Sequence, residues 1–186
     1  MKNISDLYFR KLRLEDVYTF KNWKKHESVL FYDYNFMEET EEDIKNWYKW
    51  KTEVPFTEYY AIIYKESPIG YMSLKNINKI LKTATIGIAM DPKYIDHGLG
   101  SLILEKFLDY LRDENFKIIY LNVALYNNRA LKVYKKLGFK IKYKFVMKFN
   151  NGEYDERNAD FYNNRDSFKR MLNRTFFYVY KMEKKL

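Results

Sequence analysis

Hydrophobic positions along the chain change period several times, and each change marks an element. Leu7 to Leu12 alternates apolar and polar residues and predicts a first strand. RLEDVYTFKNWKKH follows and reads as a helix that Asp16 helps to start. Between Met37 and Lys51, Ile44, Trp47 and Tyr48 recur at helical spacing, with Thr40 as N-cap and Asp43 three residues on. Tyr59 to Tyr64 and Ile69 to Leu74 predict paired strands, bent at Glu66-Ser67-Pro68. The strand from Thr83 to Met90 puts Ala84, Ile86, Ile88 and Met90 on one face, and Pro92 ends it.

The second half alternates strands and helices. Leu99, Leu102, Ile103, Phe107 and Leu111 form a helical stripe that predicts a helix beginning at Gly100. Ile118 to Ala124 is a buried strand, and NNRALKVYKKLGF is a short helix with Asn127 as N-cap and Gly138 as stop. KIKYKFVMKF is a further strand running into NNGEY, a hairpin signal. Either RNADFY or TFFYVYKM supplies the closing strand. An antiparallel-flavoured first half followed by β-α-β-α-β predicts an α/β (α+β) fold around one sheet, in a single domain spanning residues 1–186.

Composition narrows the chemistry. With 47% hydrophobic residues, 6 Gly and 3 Pro, the chain is expected to fold as a globular domain. It has no cysteine, which excludes disulfides, thiolate metal sites and cysteine nucleophiles. Two histidines, His26 and His97, argue against a histidine-rich metal centre or a Ser-His-Asp triad, so no metal is expected. No apolar run reaches membrane-spanning length and the N-terminus lacks a signal-peptide core, so the expected location is cytoplasmic, with no membrane partner. The net charge is +9, but lysines interleave with glutamates and aspartates, which argues against nucleic acid as a partner.

The stretch MDPKYIDHGLGSLILEKFL places two glycines where a strand gives way to a helix. Amides in the first helical turn have no intrahelical acceptors, and the helix dipole adds about half a positive charge there. Gly98 and Gly100 remove side chains that would hold a phosphate away, while His97, Ser101 and Lys93 can add donors or charge. No Gly-Lys-Ser/Thr follows, so this is not a Walker loop, and Ile103 replaces the third glycine of the dinucleotide fingerprint.

PKYIDHGLGSLIL, a strand, and then NNRALKVYKKLGF together resemble the GNAT N-acetyltransferase superfamily. In that family R/Q-x-x-G-x-G/A binds the pyrophosphate of acetyl-CoA, and a later N-x-x-A-x-x-x-Y-x-K-x-G-F helix lines the pantetheine and thioester. The matches are Gly98 and Gly100, then Asn127, Ala130, Tyr134, Lys136, Gly138 and Phe139. The resemblance implies a mixed, mostly antiparallel central sheet flanked by helices on both faces. It also implies acetyl-CoA as cosubstrate, pantetheine pairing by the backbone of Ile88, Ala89 and Met90, and phosphate binding by the amides of Ile95, Asp96, His97, Gly98, Leu99, Gly100 and Ser101. Asn127 would contact the cofactor's amide region, and Tyr134 would line the thioester and act as general acid. Asn127 and Tyr134 lie two helical turns apart, which suits one groove, although Ala130, Val133, Tyr134 and Leu137 also form an ordinary packing stripe.

Two positions depart from the family. Ile95 stands where Arg or Gln is usual, and Thr85 stands where many relatives carry a carboxylate base. Glu38, Glu39, Glu58 and Glu66 are the other carboxylates weighed for that role, each better read as solvated surface charge. At pH 7 an α-amine of pKa near 8 is roughly a tenth neutral, whereas an alkyl amine near 10.4 is neutral in about one part in 2,500. A protein N-terminal amine is therefore the easier acceptor. The opening segment and KFNNGEYDERNADFY resemble two branches of the family, one acetylating N-terminal alanine or serine of ribosomal proteins and one acetylating spermidine and spermine. The acidic FMEETEED suits a polycation, and the net charge opposes one. A non-catalytic acyl-CoA-binding module is the alternative from another class, and a homodimer is left open.

Overall fold

The computed structural model describes residues 6–95 and 98–186. Two compact units divide them. One runs to Lys24 and resumes over Phe36–Ile119 and Lys185–Leu186, and the other takes Lys25–Asn35 and Tyr120–Lys184.

In the first unit, strands β1 (Leu7–Lys11), β2 (Glu58–Tyr64), β3 (Ser67–Asn78) and β4 (Thr83–Met90) pair antiparallel in sequence order. Alternation along β2 decides which helix lies on which face. Tyr59, Ala61 and Ile63 pack with Val17 and Phe20 of α1 (Leu14–Phe20) and with Ile44 and Trp47 of α2 (Glu41–Thr52). Tyr60 points the other way and meets Phe107 of α3 (Leu99–Asp113) edge-on, as does Phe9 of β1. Helices therefore cover both faces, as expected.

Asp16 ties the first strand to the first helix. It is buried, takes two 2.6 Å bonds from the Arg10 guanidinium and accepts the Arg13 N–H at 2.9 Å. Thr40 caps α2 by accepting the Asp43 N–H at 3.1 Å, and its hydroxyl donates to the Asp43 carboxylate at 2.5 Å. The Asp43 carboxylate thus closes on the cap hydroxyl.

The β2–β3 turn is tighter than the sequence suggests. Tyr64 pairs directly with Ser67, so Lys65 and Glu66 alone make the bend, at φ +49° and +60°. Pro68 lies inside β3, opposite Ile63 at a register shift, where the ladder tolerates its missing donor. On α3 the buried stripe includes Leu104 and Leu108, while Leu102 stays half-buried.

The second unit holds most of β5 (Ile118–Ala124), with β8 (Arg174–Lys185) beside it, then β6 (Lys140–Lys148), and β7 (Phe168–Met171) also on β8. β6 and β7 both run antiparallel to β8. Helices α4 (Asn128–Lys136) and α5 (Ala159–Asn163) complete it, around Leu30, Tyr126, Phe149 and Phe161. TFFYVYKM is the closing strand, whereas RNADFY forms α5, because the Asn158 side chain accepts the Asp160 N–H and caps a helix. NNGEY is a bend without strand pairing across it. The hairpin forms instead at Leu172 and Asn173, with φ +49° and +58°. The fold class is α/β with mostly antiparallel strand pairing.

Candidate active site

The phosphate-binding candidates lie in the first unit. Ile88, Ala89 and Met90 end β4, in register with Met72, Tyr71 and Gly70 of β3. Ala89 is buried, and Ile88 and Met90 are half-buried. Asp91 follows as a buried anchor. Its N–H donates to the Ile69 carbonyl, and its carboxylate accepts the Lys93 N–H at 2.9 Å and the Lys24 N–H at 3.2 Å. These bonds hold the turn that carries the chain toward the glycines, a role the sequence reading passed over. Asp at the residue before Pro92 was the available signal.

The Ile95 N–H donates to the Pro92 carbonyl at 3.1 Å, so that donor is engaged within the chain. Asp96 and His97 lie outside the described residues. Gly98 is the N-cap of α3, at φ +74° and ψ −4°, a left-handed conformation that only glycine takes without strain. The helix starts at Leu99, one residue earlier than the stripe predicts, because the buried Leu99 side chain already packs as part of it. The amides of Leu99, Gly100 and Ser101 therefore fall in the first turn, where the helix supplies no acceptor.

Space above the glycines is open. Among the described residues, a Cβ built at Gly98 meets no atom within 4 Å, and one at Gly100 meets only the Met90 sulfur, at 4.0 Å. Neither glycine is required by packing against its neighbours. Among the described residues, open space, three amides without an acceptor in their helix and the positive end of a fifteen-residue helix suit a diphosphate.

The second unit carries the remaining candidates. Asn127 caps α4 by accepting the Ala130 N–H at 3.1 Å, which leaves its amide nitrogen as the end able to donate. Tyr134, two turns on, is buried and packs edge-on against Phe139 at 5.9 Å. Burial, then the nearby Tyr34, raises the Tyr134 phenol above its ordinary value and keeps it protonated at neutral pH. The packing reading of the stripe is met.

The same unit holds a group of side chains that periodicity did not flag. Ser28 caps a 3-10 turn, Val29–Tyr34, that brings Phe31 against Tyr126 at 5.8 Å. Tyr34 remains 44% exposed, yet burial of its hydroxyl, then Asp33, pushes its pKa to about 12. Burial, Asp33 and Tyr34 in that order raise Tyr126. His26 packs against Phe31 and Tyr34, with centroids 5.6 and 6.1 Å apart. Burial and then Arg129 lower the His26 imidazole against an opposing pull from Asp33. The KHESVLFYDY stretch lacks a helical or strand period, and its density of aromatic and titratable residues was the only signal.

The carboxylates weighed as bases all belong to the first unit. Glu58 is bound by Lys11 at 2.6 Å and by the Tyr60 hydroxyl at 2.5 Å. Desolvation opposes those bonds, but the carboxyl is still held below its ordinary value. Glu66 accepts a long bond from Tyr8, and Glu39 is exposed. Glu38 lines an open groove of about 460 Å³ with Met37, Asp43, Asn46, Trp47 and Trp50. Thr85 stands in β4 opposite Lys75. No cluster of three or more metal-ligating side chains occurs among the described residues. No helix among them is long and apolar enough to cross a membrane.

Comparison with known proteins gives the family. The acetyltransferase (GNAT) family matches residues 16–139. The [ribosomal protein bS18]-alanine N-acetyltransferase of Escherichia coli is 38% identical over 61 residues, covering 32% of this chain and 41% of its own. The spermidine N(1)-acetyltransferase of the same organism is 33% identical over 92 residues, 48% of each chain. The chain thus spans less than half the length of these relatives. The crystal structure of spermidine N-acetyltransferase from Vibrio cholerae in complex with CoA and spermine superposes with a TM-score of 0.69. It is 21% identical, covers 97% of this chain and 96% of that one, and so shows a shared fold.

Proposed function

The chain belongs to the acetyltransferase (GNAT) family, and from that premise we propose that it transfers the acetyl group of acetyl-CoA to a primary amine by direct attack. The observation that carries this reading is the open cradle above Gly98 and Gly100, at the start of α3. In this reading the amides of Leu99, Gly100 and Ser101 bind the diphosphate, and the β4 backbone from Ile88 to Met90 guides the pantetheine arm. The Asn127 amide donates to an amide carbonyl. Tyr134 gives its proton to the departing sulfur. The family match draws residues from both compact units, which supports one acetyltransferase domain over residues 1–186. A cytoplasmic location suits a carrier made and spent inside cells.

The acceptor we favour is a protein N-terminal α-amine. Among the described residues no carboxylate on β4 stands ready to deprotonate an amine of high pKa, and one relative is named for acetylating an alanine of a ribosomal protein. A polyamine is the second reading. It rests on the acidic, tryptophan-lined groove at Glu38, Asp43, Trp47 and Trp50, and on the spermidine-acetylating relatives. A panel of peptides beginning with alanine or serine, set against spermidine, spermine and lysine and scored by thiol release, separates them. Turnover with α-amine peptides supports the first reading, and turnover confined to polyamines supports the second. Stabilisation by acetyl-CoA without turnover on any amine identifies a binding module.

A further inference from the structure

We propose that the open sheet face around Lys142, Tyr143 and Lys181 binds single-stranded nucleic acid, with bases stacked on the Tyr143 ring and phosphates held by the two lysines. The inference lies beyond the acetyltransferase reading and uses none of the residues assigned to it.

Charge points to the surface. Strands β6, β7 and β8 carry ten of the chain's 34 lysines and arginines, and one, Glu183, of its 25 aspartates and glutamates. The remaining 24 cations and 24 carboxylates balance, so the net charge of +9 belongs to these three strands. Interleaved acids argue against nucleic acid over the rest of the chain, and on these strands a single acid is left to interleave. Apart from Lys185, all three lie in the second unit. A polyanion is the partner that complements such a surface.

Register decides what shares a face. Tyr143 stands opposite Lys181, Phe145 opposite Val179 and Met147 opposite Phe177. At the Phe177 end the face is covered, because Tyr126 and Phe149 pack on the Phe177 ring. Two pairs along it is open. Tyr143 is 53% exposed there, its ring 5.9 Å from that of Phe145. The register shifts between Ile141 and Tyr143, and the bulge brings Lys142 onto the same face. The Lys142 and Lys181 ammoniums both lie over Tyr120 of β5, 5.2 and 5.0 Å from its centroid.

Two cations there share one carboxylate. Glu183 meets Lys142 at 2.9 Å, and no described carboxylate pairs with Lys181. Lysines on an edge strand such as β6 guard it against pairing with another chain. Lys181 has no such role, since β8 lies between β5 and β6. Burial and then Lys142 lower the Lys181 ammonium below its ordinary value, a cost that an anion set between the two relieves. An exposed ring beside two cations on an open sheet suits an unpaired base and its phosphates. A duplex hides its base faces, so it gains the charge and not the stacking.

The test is fluorescence anisotropy of the full chain with a labelled, unstructured oligonucleotide, as RNA and as DNA, and with the same sequence as a duplex. Two phosphates held by Lys142 and Lys181 give a slope of about −1.4 in log K against log salt. Affinity for a single strand should therefore fall at least about 7-fold between about 50 and 200 mM salt. Preference for RNA or for DNA tells the two sources apart, and either supports the proposal. Tyr143→Ala should weaken binding at least about 5-fold. Lys142→Gln combined with Lys181→Gln should flatten the salt slope by about 1.4, with the far-UV circular dichroism spectrum unchanged. No binding at low salt overturns the proposal, as does binding that Tyr143→Ala leaves intact. A duplex bound as tightly as the single strands also overturns it, since stacking then plays no part. Polyglutamate that displaces the label as well as unlabelled strand does marks a site for acidic protein segments instead. Sedimentation with phosphatidylglycerol vesicles, without oligonucleotide binding, marks a lipid surface.

Discussion

Gly100→Ala should make the protein more stable and its phosphate cradle worse. The added methyl meets only the Met90 sulfur, at 4.0 Å, so no packing penalty arises. Position 100 is the second residue of α3, in helical conformation, and Ala there recovers about 0.5–1 kcal/mol of backbone entropy. For a chain of this size that raises the ligand-free Tm by roughly 2–4 °C per kcal/mol. The same methyl occupies the space proposed for the diphosphate. In the wild-type protein, acetyl-CoA at 100 times Kd adds about 2.7 kcal/mol of stability. If the methyl weakens Kd 100-fold, that gain shrinks to about 0.4 kcal/mol at the same concentration. Thermal melts of both proteins, with and without acetyl-CoA, read both effects together. A variant whose Tm rises without ligand and which keeps the full acetyl-CoA shift refutes the cradle. A ligand-free Tm that falls refutes the account of how α3 starts.

Tyr134→Phe removes the proton donor and keeps the ring against Phe139, so kcat should fall about 10²–10⁴-fold with acetyl-CoA affinity unchanged by calorimetry. Asp91→Ala leaves the Lys24 and Lys93 amides without their acceptor. It should cost about 1.5–3 kcal/mol in urea melts and weaken acetyl-CoA binding, because the turn before the glycines loses its anchor. His26 also sets a pH dependence. Its folded-state pKa lies below the ordinary 6.5, so the folded state binds fewer protons than the unfolded chain. That contribution is present above pH 6.5 and is lost as pH falls through the lowered folded value. Urea melts between pH 7.5 and 5 should show a steeper loss in wild type than in His26→Gln.

Elements whose signal is local were legible in the sequence. β5 and the capped helix after Asn127 follow the predicted spans because an apolar run, a cap and a glycine stop all act within ten residues. The α3 stripe showed the helix and missed its first residue, because Gly98 rather than Gly100 takes the left-handed cap. The turns were harder. Lys65-Glu66 and Leu172-Asn173 carry none of the glycines that usually mark two-residue hairpins, and strand pairing holds them at positive φ against their own preference. The candidate acid was visible because its helix has a period and a motif. The His26–Tyr34 cluster was not, since it is built through a 3-10 turn whose packing no periodic pattern announces.

The cost of freeing the amine from its proton constrains the acceptor more tightly than the shape of the groove does. Neutralising an amine at pH 7 costs about 1.4 kcal/mol for an α-amine of pKa 8 and about 4.6 kcal/mol for an alkyl amine of pKa 10.4, at 1.36 kcal/mol per unit. Glu58 and Glu41 are already partnered, by Lys11 and Lys45 at 2.6 Å each. Each primary ammonium of a polyamine carries the larger of the two costs, so a peptide α-amine is the acceptor that needs the least help from a base.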